Sequence, residues 1–278
     1  MILNWTLTAS KIYDQLEKNI SKFTQKPTLW AILVWDSAAS LRYIKQKRKF
    51  AKKIGMWFEF IQLQEDISQE ELLSEIKKCN TDTKISGYIV QLPLPKHINT
   101  EQIINNISPS KDVDGFHPEN QWKIMIGDST WFTPCTPAWV MSIFTEYGIS
   151  LSGKKVCIIG RSNIVGKPLA LLCINAGATV TVCNSQTPSL EEFALWADIV
   201  ICATGIPHLI KPNMTHKDTI IIDVGFSVVD GKIMGDADTQ AFVGAGNSIT
   251  PVPGWVGPMT VAMLMTNTYL AHMKTHEM

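Results

Sequence analysis

Tyr43 and Lys47 stand four residues apart in SLRYIKQKRKFAKKIG (40–55). If that stretch is helical, the two side chains share one face. A Lys held away from water loses part of its preference for the charged form, so it can take and give protons near neutral pH. Spacing alone favours a plainer reading, a half-buried Tyr beside a solvated Lys. A second constellation is CIIGRSNIVGKPLA, which puts Gly160 and Gly166 between an apolar run and a helix-like segment. A glycine turn there lets the backbone bend tightly and offers helix N–H groups to a pyrophosphate. The spacing is not GxGxxG, so a bland strand–helix turn stays open. The next apolar run ends in Asn184-Ser185 rather than in an acid. An acid there would bind a ribose 2′-hydroxyl and repel a 2′-phosphate. Its absence, with Arg161 in the turn, favours NADP over NAD. Cys135 sits in PCTP with no His nearby in sequence and reads as a packing residue, while His117 reads as loop structure.

These residues need elements to hold them. TLWAILV (28–34) reads as a buried strand, and 40–55 as a helix with Ser40 as cap and Gly55 as stop. MWFEFIQL (56–63) is a second strand. SQEELLSEIKKCN (68–80) is a helix opened by a capping box, Ser68 to Glu71. SGYIVQLPLP (86–95) is a third strand, ended by Pro93 and Pro95. A second unit begins near FTPCTPAWVMSIFTEYG, a loop feeding a helix. The strand KKVCIIG (154–160), the helix LALLCINAG (169–177) and the strands ATVTVCN, ADIVICATG and TIIIDVG follow. VVDGKIM (228–234) is a hairpin centred on Asp230-Gly231, and PMTVAMLMTNTYLAHMKTH (258–276) a long final helix. Strands alternating with helices predict α/β architecture.

The totals agree with an enzyme-sized globular chain of 278 residues, one large or two ordinary domains. Lys+Arg and Asp+Glu are 25 each, which argues against nucleic acid or an acidic membrane surface as main partner. The basic run KQKRKFAKK (45–53) reads as a solvated helix face. No apolar run approaches the roughly 20 residues of a membrane span, and the N-terminus turns polar too quickly for a signal peptide. Six cysteines without a CxxC pair predict reduced thiols, a cytoplasmic location and no metal site.

YIKQKRK (43–49), GYIVQLPLP (87–95), KDVDGFHPEN (111–120), FTPCTP (132–137), GRSNIVGKP (160–168) and TPVPGWVGPMT (250–260) together resemble one family. It is the bifunctional methylenetetrahydrofolate dehydrogenase/methenyltetrahydrofolate cyclohydrolase family, and the likeness covers nearly the whole chain. The resemblance implies two α/β domains flanking a cleft: a folate-binding, catalytic domain over 1–130, completed by the helix 258–278, and a Rossmann-like NADP-binding domain over 131–257. It implies a homodimer through the second domain and a place in one-carbon metabolism and purine biosynthesis. The dehydrogenase would pass a hydride from the methylene carbon of the tetrahydrofolate derivative to NADP+. The cyclohydrolase would add water to the methenyl cation and give 10-formyltetrahydrofolate. Residue by residue, Lys47 matches the acid–base group, Tyr43 packs along the folate, Gln91 hydrogen-bonds Lys47, and Asp114 accepts hydrogen bonds from the pterin. Asp112, which alone reads as a turn residue, is a second-rank folate contact, and Pro253 and Gly254 line the substrate. Gly160, Arg161, Ser162, Ser185 and Phe226 contact the nucleotide. A dehydrogenase with weak cyclohydrolase, or a catalytically dead NADP-binding module, are the alternative readings.

Against this family the tryptophans are anomalous. Trp5, Trp35, Trp122, Trp139 and Trp255, five of the nine, stand where the family has glycine. A glycine used for positive φ or close backbone approach cannot become Trp without strain. Five replacements in one direction point to one cause, UGA codons for glycine written as Trp, with genuine drift in a divergent homologue as the alternative reading.

Overall fold

The computed structural model describes residues 1–35, 38–254 and 256–276. Trp255 therefore lies outside the described residues. The chain divides into two compact units: Ala9–Cys135 with the chain from Thr260 on, and Met1–Thr8 with Thr136–Met259.

The first unit is built on a parallel three-stranded sheet in the order β2-β1-β3. Its strands are β1 (Thr28–Val34), β2 (Trp57–Leu63) and β3 (Gly87–Val90). Around them run α1 (Trp5–Ile20), α2 (Ala38–Lys53), α3 (Gln69–Thr81), α4 (Thr100–Asn105), α5 (Pro118–Met125) and the end of α10 (Val256–His276). Central β1 is buried along Ala31–Val34, as a parallel strand covered on both faces must be. Ile32, Val34, Leu72, Ile76, Tyr88 and Val90 lead its core. The capping box holds as predicted: Ser68 Oγ accepts from Glu71 N and the Glu71 side chain accepts from Ser68 N. Chain order takes β2 to one side of β1 and β3 to the other, so the crevice at the C-terminal ends of β1 and β3 is a switch point.

The second unit holds a parallel five-stranded sheet in the order β10-β7-β6-β4-β5. The strands are β4 (Lys155–Ile159), β5 (Thr179–Cys183), β6 (Ile199–Cys202), β7 (Ile220–Asp223) and β10 (Ser248–Ile249). The helices are α6 (Cys135–Glu146), α7 (Gly166–Asn175), α8 (Leu190–Trp196) and α9 (Thr239–Gly244). β4, β6 and β7 read as near-continuous Val/Ile runs and are almost wholly buried. Here the order reverses between β4 and β6. A hairpin of β8 (Ser227–Val229) and β9 (Lys232–Met234) turns through Asp230 and Gly231, with φ of 50° and 74°, the two positive values such a turn needs.

Several expectations are corrected. α2 begins at Ala38, so Ser40 lies inside the helix rather than capping it. β3 ends at Val90, and Gln91–Pro95 leave the sheet. α7 starts at Gly166, three residues earlier than predicted, because the glycine turn is shorter than its sequence suggests. α1 and the short helices α4, α5, α8 and α9 add to the elements the sequence predicts. The strain expected at the tryptophans is present at Trp35 alone among the four described, with φ of 72°. Trp5, Trp122 and Trp139 lie in helices, whose backbone any L-residue adopts.

Candidate functional site

In the first unit, α2 places Tyr43 and Lys47 one turn apart, and Lys47 Nζ donates to Gln91 Oε1 at 2.8 Å. Gln91 is the first residue past β3. Its N donates to Ile32 O at 2.8 Å and its Nε2 to Leu92 O at 2.9 Å. With the amide nitrogen spent on its own chain, Oε1 is fixed toward the lysine. Lys47 alone of the basic run turns to these partners, while Lys45, Arg48, Lys49, Lys52 and Lys53 are exposed. Burial pushes the Lys47 ammonium down from its usual range, and the charge of the nearby Asp114 carboxylate opposes that fall. The same burial raises Asp114 to about 6; Lys47 lowers it, Asp112 raises it, and a long contact from Cys135 Sγ at 3.9 Å lowers it. Tyr43 remains 37% exposed, so its ring offers an open face beside the lysine.

The loop that carries Asp114 is fixed from three sides. Asp112 is fully buried, and its Oδ2 accepts from His117 N at 2.8 Å and Asn120 Nδ2 at 2.7 Å. That carboxylate braces the loop beneath Asp114. Gly115 has φ of +74°, and a Cβ there would sit 2.7 Å from Pro134 N, so only glycine lets the segment Thr133-Pro134 approach. From α10, Asn267 Nδ2 donates to Val113 O and to Thr133 O, each at 2.9 Å, and lies 3.9 Å from Cys135 Sγ. Sequence reasoning missed Asn267. Its signal was a polar amide amid the apolar run VAMLMTNTYLAHM, where a buried amide must find partners. Burial and the Asp114 charge hold the Cys135 thiol well above its usual range, so it stays protonated and unreactive.

In the second unit, the turn from β4 to α7 lies at the switch point. Gly160 has φ of +122°, and a Cβ on it would meet Ala203 O at 2.4 Å. Gly160 N donates to Cys183 O at 2.9 Å, which ties the turn to the end of β5, where Asn184 and Ser185 follow. Ser162 Oγ accepts from Val165 N at 3.2 Å and Gly166 N at 3.4 Å, which ties the turn to the residues that open α7. Arg161, Ser162, Ser185 and Phe226 are all exposed. Pro253 follows a cis peptide bond with Val252 in the same unit, and Gly254 comes next.

A glycine turn crowded against the neighbouring strand's backbone, at the switch point of a doubly wound parallel sheet, defines an α/β enzyme with a Rossmann-like NAD(P)-binding unit. Sequence comparison agrees and goes further: residues 134–276 match the NAD(P)-binding domain, and residues 3–114 the catalytic domain, of tetrahydrofolate dehydrogenase/cyclohydrolase. The chain belongs to the tetrahydrofolate dehydrogenase/cyclohydrolase family. It is 44% identical over 272 residues to the bifunctional protein FolD of Hydrogenobaculum sp., covering 98% of each chain. It is 46% identical to that of Nautilia profundicola, covering 97% of this chain and 96% of the relative. The solved structure of the bifunctional FolD enzyme of Campylobacter jejuni superposes with a TM-score of 0.95 at 41% identity, covering 99% of both chains. The chain is thus a two-activity enzyme of folate one-carbon metabolism. It oxidises 5,10-methylenetetrahydrofolate to the methenyl form and hydrolyses that to 10-formyltetrahydrofolate.

Proposed function

We propose that Lys47 is the acid–base group of the cyclohydrolase, with Gln91 and Asp114 as its partners and Tyr43 along the substrate. The observation that carries this is the 2.8 Å bond from Lys47 Nζ to Gln91 Oε1. A Gln carbonyl accepts from an ammonium and from a neutral amine alike, so it holds the nitrogen in place through both states. As water adds to the methenyl carbon, neutral Lys47 takes a proton from it. Lys47 then hands that proton to the ring nitrogen as the C–N5 bond breaks, and the added hydroxyl loses its own proton as it becomes the formyl C=O, so the net reaction consumes water and releases one proton. Asp114 orients the pterin by accepting its N–H groups, as a bidentate carboxylate can. Asp112 supports that loop rather than meeting the substrate, and Pro253 and Gly254 are folate contacts carried over from the resemblance. On this reading Ala9–Cys135 with the end of α10 is the folate unit and Thr136–Met259 the nucleotide unit.

The nucleotide site consists of Gly160, Arg161, Ser162, Ser185 and Phe226. NADP+, when bound, accepts the hydride from the methylene carbon. The turn fits a dinucleotide: its backbone is bare of Cβ atoms at Gly160 and Gly166, and α7 starts behind it. No acid follows β5, and Arg161 offers its charge to a 2′-phosphate, which favours NADP; the related enzyme of Trypanosoma brucei is solved with NADP. Pairing of two copies through the second unit is supported by edge strand β5 with its exposed Val182 and by the exposed Ile174 of α7. A cytoplasmic location fits six buried free cysteines. Among the described residues no helix is long and apolar enough to cross a membrane.

Lys47→Met tests the central assignment. Methenyl hydrolysis, followed by absorbance and corrected for the spontaneous rate, should fall by about 10²–10⁴, the usual worth of a general acid–base group. Near wild-type hydrolysis removes Lys47 from the mechanism.

A further inference from the structure

Asp236 is fully buried in the second unit, in the stretch between β9 and α9. One oxygen is heavily used: Oδ2 accepts from Thr204 N at 2.6 Å, Thr204 Oγ1 at 2.8 Å and Gly205 N at 3.2 Å. The other, Oδ1, is buried with no hydrogen-bond partner. It faces Gly225 so closely that a Cβ there would stand 2.0 Å from it. An unspent, buried carboxylate oxygen is costly. A second buried carboxylate completes the arrangement: Asp223 accepts from Gly225 N at 2.8 Å, Asp236 N at 3.2 Å and Ala237 N at 2.9 Å. Together they lock the stretch after β9 to the loops at the C-terminal ends of β6 and β7.

The place matters as much as the bonds. Thr204 and Gly205 follow Ala203, whose carbonyl oxygen is the atom that crowds Gly160. The loop Asp236 holds is therefore one wall of the β4/β6 switch point, and the glycine turn is the other. With the N–H groups of Thr204 and Gly205 turned inward to Asp236, Gly205 and Ile206 are left at the surface there. On the opposite side Gly225, pressed against Oδ1, sets the start of the exposed Phe226.

We propose that Asp236 is a positioning residue for the nicotinamide nucleotide: its buried carboxyl group holds the Thr204–Gly205 loop against the glycine turn and seats Gly225 before Phe226. The inference rests on the placement of the nucleotide at the glycine turn given above. Asp236 touches no part of the nucleotide; it shapes what does.

The test measures NADP+ affinity by calorimetry, without folate, on the full-length wild type, Asp236→Ala, Asp236→Asn, Thr204→Val and Arg161→Ala. Cyclohydrolase activity, which uses no nucleotide, is read on the same samples. Asp236→Ala should weaken NADP+ binding roughly tenfold, the scale of losing hydrogen bonds to a charged group. Asp236→Asn, which keeps an acceptor for Thr204 and Gly205, should return it to within about threefold of wild type. Cyclohydrolase activity should hold within about twofold in both, since Lys47, Gln91 and Asp114 lie in the other unit. If Asp236→Ala fails to fold, Thr204→Val decides: it removes one donor to Oδ2 and should weaken NADP+ by about threefold. Unchanged affinity in the Asp236 and Thr204 variants, with Arg161→Ala weakened, overturns the proposal and leaves the nucleotide site standing. Unchanged affinity in Arg161→Ala as well overturns both. Parallel loss of NADP+ binding and cyclohydrolase without rescue by Asn makes Asp236 a scaffold residue only, which also overturns it.

Discussion

Asp114→Asn should weaken folate binding and yet make the protein harder to unfold at neutral pH. The carboxyl group of Asp114 is raised by burial from 3.8 to about 6 in the folded chain. At about 1.4 kcal/mol for each tenfold in proton affinity, keeping this group charged costs the folded state roughly 3 kcal/mol. The sign follows from proton uptake. Below the unfolded value both states are protonated and the cost is absent. Between about 4 and about 6 the unfolded chain ionises first, so stability falls as pH rises. Above about 6 the full cost is present. A neutral amide at this position avoids it. Urea unfolding should therefore show Asp114→Asn and wild type nearly equal at about pH 4, with the variant ahead by up to about 3 kcal/mol at about pH 7.5. Folate binding by calorimetry should move the other way, weakened by about 1.5–3 kcal/mol at about pH 7.5 because a charged acceptor is lost. In the wild type that affinity should decline as pH drops below about 6, and the variant should show no such decline. A variant less stable than wild type at neutral pH, or one whose folate affinity keeps the wild-type pH profile, refutes the reasoning.

Arg161→Ala should weaken NADP+ binding more than NAD+ binding, since the lost charge would face the 2′-phosphate; equal losses by calorimetry remove Arg161 from cofactor choice. At Trp35, with φ of 72°, replacement by Gly should give a more stable protein than replacement by Ala, by about 1 kcal/mol in urea titrations. At Trp122, helical and exposed, the order should reverse by about the same amount; one ranking at both positions contradicts the backbone described. In the source gene, codons 5, 35, 122, 139 and 255 should read UGA, and UGG at most of them ends the reassignment idea.

Local signals were legible in the sequence. The apolar run of β1, the Ser68–Glu71 capping box, the Asp230-Gly231 hairpin and the strand–glycine–helix passage at Gly160 each depend on residues a few positions apart. The four-residue spacing of Tyr43 and Lys47 belongs with them, although a partner at Gln91 entered only through the family likeness. The short helices α4, α5, α8 and α9, of 6–8 residues, escaped because helices of that length owe their stability to tertiary packing rather than propensity. The indole at Trp35 shows the same limit in reverse, since a positive φ is a property of the folded backbone. What only the tertiary structure decided is which polar groups meet once buried. Asn267 finds its acceptors at Val113 and Thr133, more than a hundred residues away, and Asp236 finds its donors at Thr204 and Gly205, about thirty residues away. A buried polar group must be paired, but pattern along a chain states only that a partner is required. Its identity is set when packing excludes water and leaves one set of donors and acceptors within reach.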